Sequence, residues 1–342
     1  MEADMDVGLF LFSFVLIYAG SVLFTNGVEW LGHKLRLSES VVGCVLSAVG
    51  TALPETLIPI LAIFFVGGAN GHNIGIGAIL GAPFMLGTLA MFVTGVSIFA
   101  FRDRREQGAA LNVRGSTKKR DLRFFIITYF TAVMVSLVPS DAIKPMLAPL
   151  FIGIYFVYLV SVFKGQDSCC KVVLDPLTLH VLSAKLRRGT ARESPSVSHI
   201  VIQVALSLVL IVAGAQLFVA QIVSLAESLH LDAILLSLIV APVATELPEK
   251  LNSVLWVRQG KDTLALGNLT GAMVFQSCIP VAFGIAFTSW TLGRFETINV
   301  SLTLIAGVLL YIQTMKNRLR SLSLLFNGVL YFIFLGLVVM FA

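Results

Sequence analysis

The amino-acid sequence predicts an all-α polytopic membrane protein: ten transmembrane helices, arranged as two inverted five-helix repeats with broken helices at the centre. Of its 342 residues, 57% are hydrophobic and only 13% are charged, about half the charged share of a soluble domain. Ten apolar runs are long enough to cross a bilayer, and two short motifs recur in the two halves of the chain. This composition excludes both a soluble enzyme and a disordered chain.

The predicted spans are runs of about 20 residues with few charges. The second, third, seventh and eighth runs are long and contain Gly, Pro and polar residues, a pattern typical of broken or kinked helices. In chain order the ten predicted spans cover residues 8–27, 41–66, 74–101, 124–139, 145–163, 200–224, 233–257, 263–289, 297–315 and 322–341.

Lysine and arginine indicate the orientation of these spans. If the N-terminus lies outside, the cytoplasmic loops hold 21 Lys and Arg residues and the outer loops hold only Lys144 and Arg294. We therefore expect both termini outside, the loop 164–199 in the cytoplasm, and a plasma membrane as the default location. Because the basic residues lie in short loops, they favour topogenesis and contact with the lipid bilayer over nucleic-acid binding. No obligatory protein partner is evident.

An internal repeat relates the two halves. VGTALPETL at 49–57, the first motif, and VATELPEKL at 243–251, the second motif, match at six of nine positions with an offset of 194 residues. With the same offset, IYAGSVLF at 17–24 matches IVAGAQLF at 211–218 at five of eight positions. A constant offset argues against chance similarity.

Each half holds five predicted spans, and an odd number inverts the second copy in the membrane. Inverted repeats with discontinuous helices are a transporter architecture whose binding site lies near the midplane, between the repeats. The predicted organisation is a first repeat over 1–163 with its motif region at 43–95, a cytoplasmic linker over 164–199, and a second repeat over 200–342 with its motif region at 237–287.

Each motif places a glutamate, Glu55 or Glu249, directly after a proline near the middle of a span. A carboxylate deep in hydrocarbon costs at least about 2.5–3.5 kcal/mol, so such residues are functional candidates. Because proline removes a backbone donor, carbonyl groups about one turn earlier are predicted to be free for a ligand. Thr51 and Thr245 add hydroxyl groups one helical turn before each glutamate.

These groups form an oxygen-rich cage, which suits Ca²⁺ better than Mg²⁺, because Mg²⁺ retains its waters. No His or Cys lies beside the glutamates, which argues against zinc or copper. The ion is cargo, and no cofactor is expected. The predicted metal ligands are Glu55, Glu249, Thr51, Thr245, Glu246 and Asn268, with the backbone near Gly50, Ala52 and Ala244.

A second repeated pattern follows each motif, GAILGAPFML at 77–86 and GNLTGAMVFQ at 267–276. Its paired glycines allow close helix approach, and we expect the third and eighth spans to meet there and complete the cage. Asn268 offers a further oxygen to the ion, and Gln276 is a modulating candidate two turns later.

GTALPE at 50–55 and ATELPE at 244–249, each followed by a Gly-xxx-Gly stretch, resemble the two α-repeats of the calcium/cation antiporter superfamily, the sodium/calcium exchanger membrane region. The resemblance covers about 40–50 residues in each half and implies alternating access, with Glu55 and Glu249 as the central calcium ligands. The Asn, Asp and Ser residues common in that family are Ala52, Ala78, Ala82 and Pro83 in the first copy and Glu246, Ala272 and Met273 in the second. Many side-chain ligands for sodium are therefore missing.

The second motif adds a charge pair that the first lacks. Glu246 and Lys250 are four residues apart with the acid first, the favourable order on a helix, whereas Ala52 and Thr56 occupy the equivalent positions. We expect this pair to neutralise itself. A stronger hypothesis is that the Lys250 ammonium replaces a monovalent cation that would otherwise bind there.

The leading predicted function is therefore secondary active transport of a divalent cation, with Ca²⁺ as the first candidate, in exchange for Na⁺ or H⁺. The alternatives are an uncoupled divalent-cation channel or facilitator, which would share the acidic site, and an antiporter for Mn²⁺ or Mg²⁺. An intramembrane enzyme is disfavoured because no zinc-binding His pair, aspartate pair or Ser–His constellation lies near the glutamates.

Overall fold

A computed structural model describes residues 6–35, 53–105, 108–111, 115–164, 175–186, 194–229, 232–258, 260, 262–315 and 319–341. Nearly all of these residues are helical. The described α-helices are α1 (Val7–Lys34), α2 (Leu53–Leu61), α3 (Gly68–Met85), α4 (Met91–Ala100), α5 (Gly115–Ser136), α6 (Lys144–Lys164), α7 (Thr178–Leu186), α8 (Val197–Leu229), α9 (Ala233–Thr245), α10 (Leu247–Arg258), α11 (Asp262–Phe287), α12 (Arg294–Met315) and α13 (Ser321–Phe341).

The predicted fold class is confirmed, and the helices are compatible with ten spans. Within the described residues, seven helical stretches are long and apolar enough to cross a membrane, and two shorter apolar helices cover Glu55–Val66 and Ile234–Val243. The fourth predicted span lies in α5, which begins with a basic segment. The linker 164–199 contains the helix α7, which the sequence analysis does not predict.

The first helices of the two halves pack against each other in a reciprocal way. A Cβ atom on Gly20 of α1 would meet the Ile211 side chain of α8 at 2.7 Å, and one on Gly214 of α8 would meet the Ile17 side chain of α1 at 2.9 Å. Gly20 and Gly214 occupy equivalent repeat positions, as do Ile17 and Ile211. An approximate two-fold axis between the copies produces this kind of exchanged contact.

Three of the four spans expected to be broken or kinked show irregular helix in their described parts. The seventh span is broken at Glu246, between α9 and α10, and the third changes to π-helix over Leu86–Ala90. In the second, α2 continues into π-helix over Ala62–Val66. The eighth span is not broken: α11 is one continuous α-helix that contains Pro280.

Loops that the charge count assigns to the same side of the membrane contact one another. Arg105 forms a 2.7 Å ion pair with Asp262, and the Leu111 amide donates to the Leu319 carbonyl at 3.3 Å; all four residues belong to predicted cytoplasmic loops or their ends. On the opposite face, the Lys144 ammonium donates to a backbone carbonyl just after α11, at 2.8 Å.

Candidate cation site

Glu55 occupies the first turn of α2 and is 3% exposed. Pro54 directly before it is tolerated there because the first amides of a helix have no intrahelical acceptor. The helix α2 packs against α3, α9 and α11, so it contacts the third, seventh and eighth spans at once. The fold therefore holds this carboxylate inside the bundle, where α2, which carries the first motif, packs against α9, which ends at the second motif.

The second motif lies where the seventh span breaks. Helix α9 ends at Thr245, and the hydroxyl of this buried residue donates to the Ala241 carbonyl at 3.2 Å, which leaves its oxygen lone pairs available to a cation. The Glu246 carbonyl accepts the Lys250 amide at 3.1 Å, so it is not one of the free carbonyls expected in this stretch. Ala244 lies four residues before Pro248, which has no amide hydrogen to donate.

The Glu246–Lys250 pair is present as an ion pair inside the protein. The Lys250 Nζ lies 3.5 Å from Glu246 Oε2, and the two residues are 8% and 0% exposed. The same ammonium donates to Met85 Sδ at 2.8 Å. Met85 is the last residue of α3 before its π-helical segment, so Lys250 links the seventh span to the middle of the third.

The paired glycines of the third span, Gly77 and Gly81, pack against α9. A Cβ atom on Gly77 would lie 2.5 Å from the Ile234 carbonyl oxygen, and one on Gly81 would collide with the Leu238 carbonyl oxygen. The third and eighth spans do contact each other, as expected, but this glycine pair does not form that contact, because small residues permit close approach without specifying the partner helix. The result is that α3 lies directly against the helix leading into the second motif.

Two buried amides on α11 remain candidates. The Asn268 Nδ2 is buried and has no hydrogen-bond partner among the described residues, and the same holds for both polar atoms of the fully buried Gln276. Met273, one turn before Gln276, approaches the Cβ position of Gly87 at 3.4 Å. Since residues three apart share a helix face, Gln276 lies on the side of α11 that faces the π-helical segment of the third span.

Several predicted ligands fall outside what the structure describes. Gly50, Thr51 and Ala52 precede the described part of the second span, and the side chains of Glu249 and Ala244 are not described either. Among the described side chains, no three acidic, histidine or cysteine groups are close enough to hold a metal ion. The shared position of Glu55 and Glu249 thus remains a prediction.

Two buried residues that contact the helices around the predicted site are absent from the sequence-based prediction. Met85 shows no sequence signal, because a methionine in an apolar span resembles any core residue. Asp121 lies among basic residues in sequence and gives no signal of its own, yet in α5 it is 2% exposed and accepts hydrogen bonds from Tyr158 at 3.2 Å and Thr270 at 3.0 Å. It ties α5 and α6 to the glycine-rich stretch of α11.

The residues predicted for the site offer acidic side chains together with hydroxyl, carbonyl and amide oxygens, and Glu55, Thr245 and Glu246 are buried. Hard oxygen ligands of this kind suit an alkaline-earth or alkali cation rather than a soft transition metal. The ammonium of Lys250 is the one cationic group that the described helices place beside the motif residues.

Comparison with known proteins agrees with this architecture. The sequence profile of the family described as "Sodium/calcium exchanger protein" matches residues 5–164 and 199–342. The putative antiporter CaxA of Alkalimonas amylolytica is 24% identical over 335 residues, which cover 94% of each chain.

Two solved structures share the fold over almost the whole chain. The crystal structure of the H⁺/Ca²⁺ exchanger CAX superposes with a TM-score of 0.75 at 17% identity, over 97% of this chain and 81% of that one. A structure of the sodium-calcium exchanger NCX_Mj superposes with a TM-score of 0.60 at 21% identity, over 96% of this chain and 97% of that one.

Proposed function

Because the chain belongs to the sodium/calcium exchanger protein family, we propose that it exchanges Ca²⁺ for Na⁺ or H⁺ across a membrane by alternating access. It is an integral, multi-pass transporter and not an enzyme, since the family and the solved structures that share its fold are exchangers. The proposal covers four points: the transported ion, the counter-ion, the plasma-membrane location and the two central glutamates.

The observation that carries the proposal is the burial of Glu55. Its carboxylate is 3% exposed on a short helix that packs against α9, which ends at the second motif. A carboxylate in that position is costly to keep unless it acts on an ion or a proton. We assign Glu55 and its repeat counterpart Glu249 as the two central ligands of the transported cation.

The surrounding groups favour Ca²⁺ as cargo. Calcium accepts six to eight oxygen ligands in flexible geometry, whereas Mg²⁺ needs a near-ideal octahedron and retains water. The Thr245 hydroxyl and the Asn268 amide can complete a flexible shell around two carboxylates. The two solved structures that share the fold are named as calcium exchangers, which supports Ca²⁺ as the transported ion. One exchanges H⁺ and the other sodium, so we propose either ion as the counter-ion.

The inverted repeats supply a route for alternating access. In such folds one repeat or bundle rocks against the other around a fixed central site, which exposes the site to each side in turn. The reciprocal contact of α1 with α8 provides a near-symmetric surface on which two equivalent states can form. The carboxylates would bind the divalent cation in one direction and Na⁺ or H⁺ in the other.

Calcium uptake into proteoliposomes tests the proposal. Purified protein should accumulate radioactive Ca²⁺ only when a Na⁺ or pH gradient is imposed, and Glu55→Gln and Glu249→Gln should each abolish uptake. The matched control is Glu296→Gln, another buried acid, at the N-terminal end of α12, which should retain transport. Competition by Mn²⁺ and Mg²⁺ would rank the cargo ions.

Three results would contradict parts of the proposal. Uptake that needs no ion on the opposite side would indicate a channel or facilitator, because an antiporter requires exchange. Uptake that survives both glutamate substitutions would reject the assigned ligands. Stronger transport of Mn²⁺ or Mg²⁺ than of Ca²⁺ would change the cargo.

A further inference from the structure

The contacts of Lys250 place a positive charge inside the proposed cation site. Its ammonium lies 3.5 Å from the Glu246 carboxylate and 2.8 Å from the Met85 sulfur. Lys250 directly follows Glu249 in the chain and reaches across to the third span, whose glycine pair lies against α9. The ammonium is therefore held from both sides, by the second motif and by the helix that follows the first.

This charge pair belongs to one copy of the repeat only. The equivalents of Glu246 and Lys250 in the first motif are Ala52 and Thr56, which are both uncharged. The two motifs otherwise share the sequence Leu-Pro-Glu. The second copy thus carries an acid and a base that the first copy lacks, and their opposite charges cancel within the site.

Each of the two charges depends on the other in this dry interior. A buried charge without a compensating partner is strongly destabilising, whereas a close opposite charge offsets much of its desolvation. A mobile Na⁺ or K⁺ could neutralise Glu246 just as well. The Lys250 ammonium neutralises Glu246 in the same way, but it is part of the chain and cannot leave. The sulfur of Met85 beside it is only a weak hydrogen-bond acceptor.

We infer that the Lys250 ammonium is a resident monovalent cation of the transport site. It occupies permanently a position that a mobile cation would otherwise fill. With Glu55, Glu246 and Glu249 ionised, the site then has a net charge of −2, which one Ca²⁺ or two monovalent cations neutralise. This inference rests on the proposed function and adds to it a coupling ratio of two counter-ions for each Ca²⁺.

The coupling ratio can be measured on the wild-type protein. At zero membrane potential, the equilibrium Ca²⁺ ratio across the vesicle should follow the square of the counter-ion ratio, so a tenfold Na⁺ or H⁺ gradient should sustain about a hundredfold Ca²⁺ gradient. A dependence on the cube, equivalent to about a thousandfold gradient, would overturn the inference. A wild-type protein that moves no Ca²⁺ would refute the proposed function instead.

Substitution of Lys250 tests the resident cation directly. In vesicles whose inert salt is N-methylglucamine, Lys250→Thr should slow Ca²⁺ exchange about tenfold or more, because Glu246 loses its partner. Added K⁺ or ethylammonium on both sides should restore exchange in this variant and leave the wild type unchanged. Lys250→Arg, which keeps the charge, should not need the added cation.

The chain itself supplies the matched control. The double variant Glu246→Ala/Lys250→Thr reproduces the pair found in the first motif and removes both charges, so its exchange should not respond to K⁺ or ethylammonium. If Lys250→Thr behaves like the wild type in the absence of added cation, or if the double variant shows the same cation requirement as the single one, the inference is wrong.

Thermal unfolding keeps the test decisive if Lys250→Thr does not transport. A cation that binds only the folded state raises the melting temperature. K⁺ or ethylammonium should therefore stabilise purified Lys250→Thr in detergent relative to N-methylglucamine, and should not stabilise the wild type or the double variant. Equal melting curves for Lys250→Thr in all three salts would refute the resident-cation role.

Discussion

At the residue scale, Gln276 is a buried polar side chain whose lack of a partner within the described structure is a reason to look for a ligand. It is fully buried on α11, and within the described part of the chain neither of its amide atoms finds a hydrogen-bond partner. An unsatisfied buried amide costs about 1–3 kcal/mol. Because Gln276 lies on the face toward the third span, we propose that its oxygen contacts the cation when the site is loaded.

We expect Gln276→Met to separate stability from function. Methionine has a similar size and needs no hydrogen bond, so the free energy of unfolding without Ca²⁺ should rise by about 1 kcal/mol. The apparent Ca²⁺ affinity should fall about tenfold, because the proposed site loses one candidate oxygen. Denaturant titration in detergent and concentration-dependent calcium uptake measure the two effects.

Gln203 is the matched control for this change. It is also buried, but its amide group donates to Leu23 and Asn26 at 2.9 Å and accepts the Leu179 amide at 2.8 Å. Gln203→Met should therefore destabilise the protein and leave Ca²⁺ affinity unchanged. If both variants lose stability and neither loses affinity, Gln276 is a packing residue only.

At the scale of single elements, the close approach of α3 and α9 depends on one glycine pair. A Cβ atom on Gly81 would meet the Leu238 carbonyl and would lie 2.8 Å from the Pro242 ring. The neighbouring backbone cannot move aside as a flexible side chain could. This contact sets the distance between the third span and the helix that enters the second motif.

Gly81→Ala should force these two helices apart. We expect a loss of about 1–3 kcal/mol in the free energy of unfolding, typical of overpacking, and slower exchange in proteoliposomes. Gly153→Ala on α6, where a Cβ atom would meet nothing within 4 Å, should be neutral or stabilising because alanine favours helix. Equal effects of the two substitutions on stability and exchange would show that the α3–α9 interface can accommodate a methyl group at Gly81, and would contradict this prediction.

The π-helical segment of the third span is supported by a neighbouring helix. Asn327 of α13 is fully buried and donates to the carbonyls of Gly87, at 3.1 Å, and Ala306, at 3.3 Å. A π-turn shifts the regular hydrogen-bond ladder, so this side-chain donor supplies a hydrogen bond to the Gly87 carbonyl within the irregular stretch. Segments of this kind occur frequently at functional sites.

Asn327→Leu should therefore cost about 1–3 kcal/mol of unfolding free energy, because it leaves two buried carbonyls with one donor fewer. Asn299→Leu is the matched control, because it replaces the same residue type at equal burial. Neither polar atom of the Asn299 side chain has a hydrogen-bond partner among the residues described. The Asn299 variant should lose less stability or gain some. Chemical denaturation of both proteins in the same detergent decides the order.

At the scale of the whole molecule, the two repeats are joined on the predicted cytoplasmic side by Arg105. Its guanidinium pairs with Asp262 at 2.7 Å, and both side chains are buried. It also donates to the carbonyls of Val257, Gly108 and Ala110. One residue thus connects the loop after the third span to the corner between α10 and α11.

Removing one member of a buried ion pair leaves an uncompensated charge. We expect Arg105→Met to lower the unfolding free energy by about 3–5 kcal/mol. Adding Asp262→Asn should recover part of that loss, because the remaining acid no longer carries a buried charge. A double-mutant cycle of melting or denaturation curves gives the coupling, and strictly additive losses would contradict it.

Much of this architecture follows from local sequence properties. The spans were predictable because the bilayer requires about 20 apolar residues in sequence, and the broken seventh span because proline and charge interrupt it at Leu247–Glu249. Helix α7 in the linker was missed because it is short and has no membrane-spanning pattern. Helix α11 continues past Pro280 because a proline inside a packed membrane helix need not break it.

The sequence alone determined that the chain lies in a membrane, that it contains a duplicated motif, and that a glutamate follows a proline in each copy. Those features follow from the composition and the spacing of residues along the chain, which are local properties of the sequence. Only the tertiary structure decided that Gly77 and Gly81 face α9, that α1 and α8 exchange equivalent contacts, and that Lys250 reaches both Glu246 and Met85. Helices that are apolar on every side carry little information about rotation or partner, so these choices depend on how the whole bundle packs.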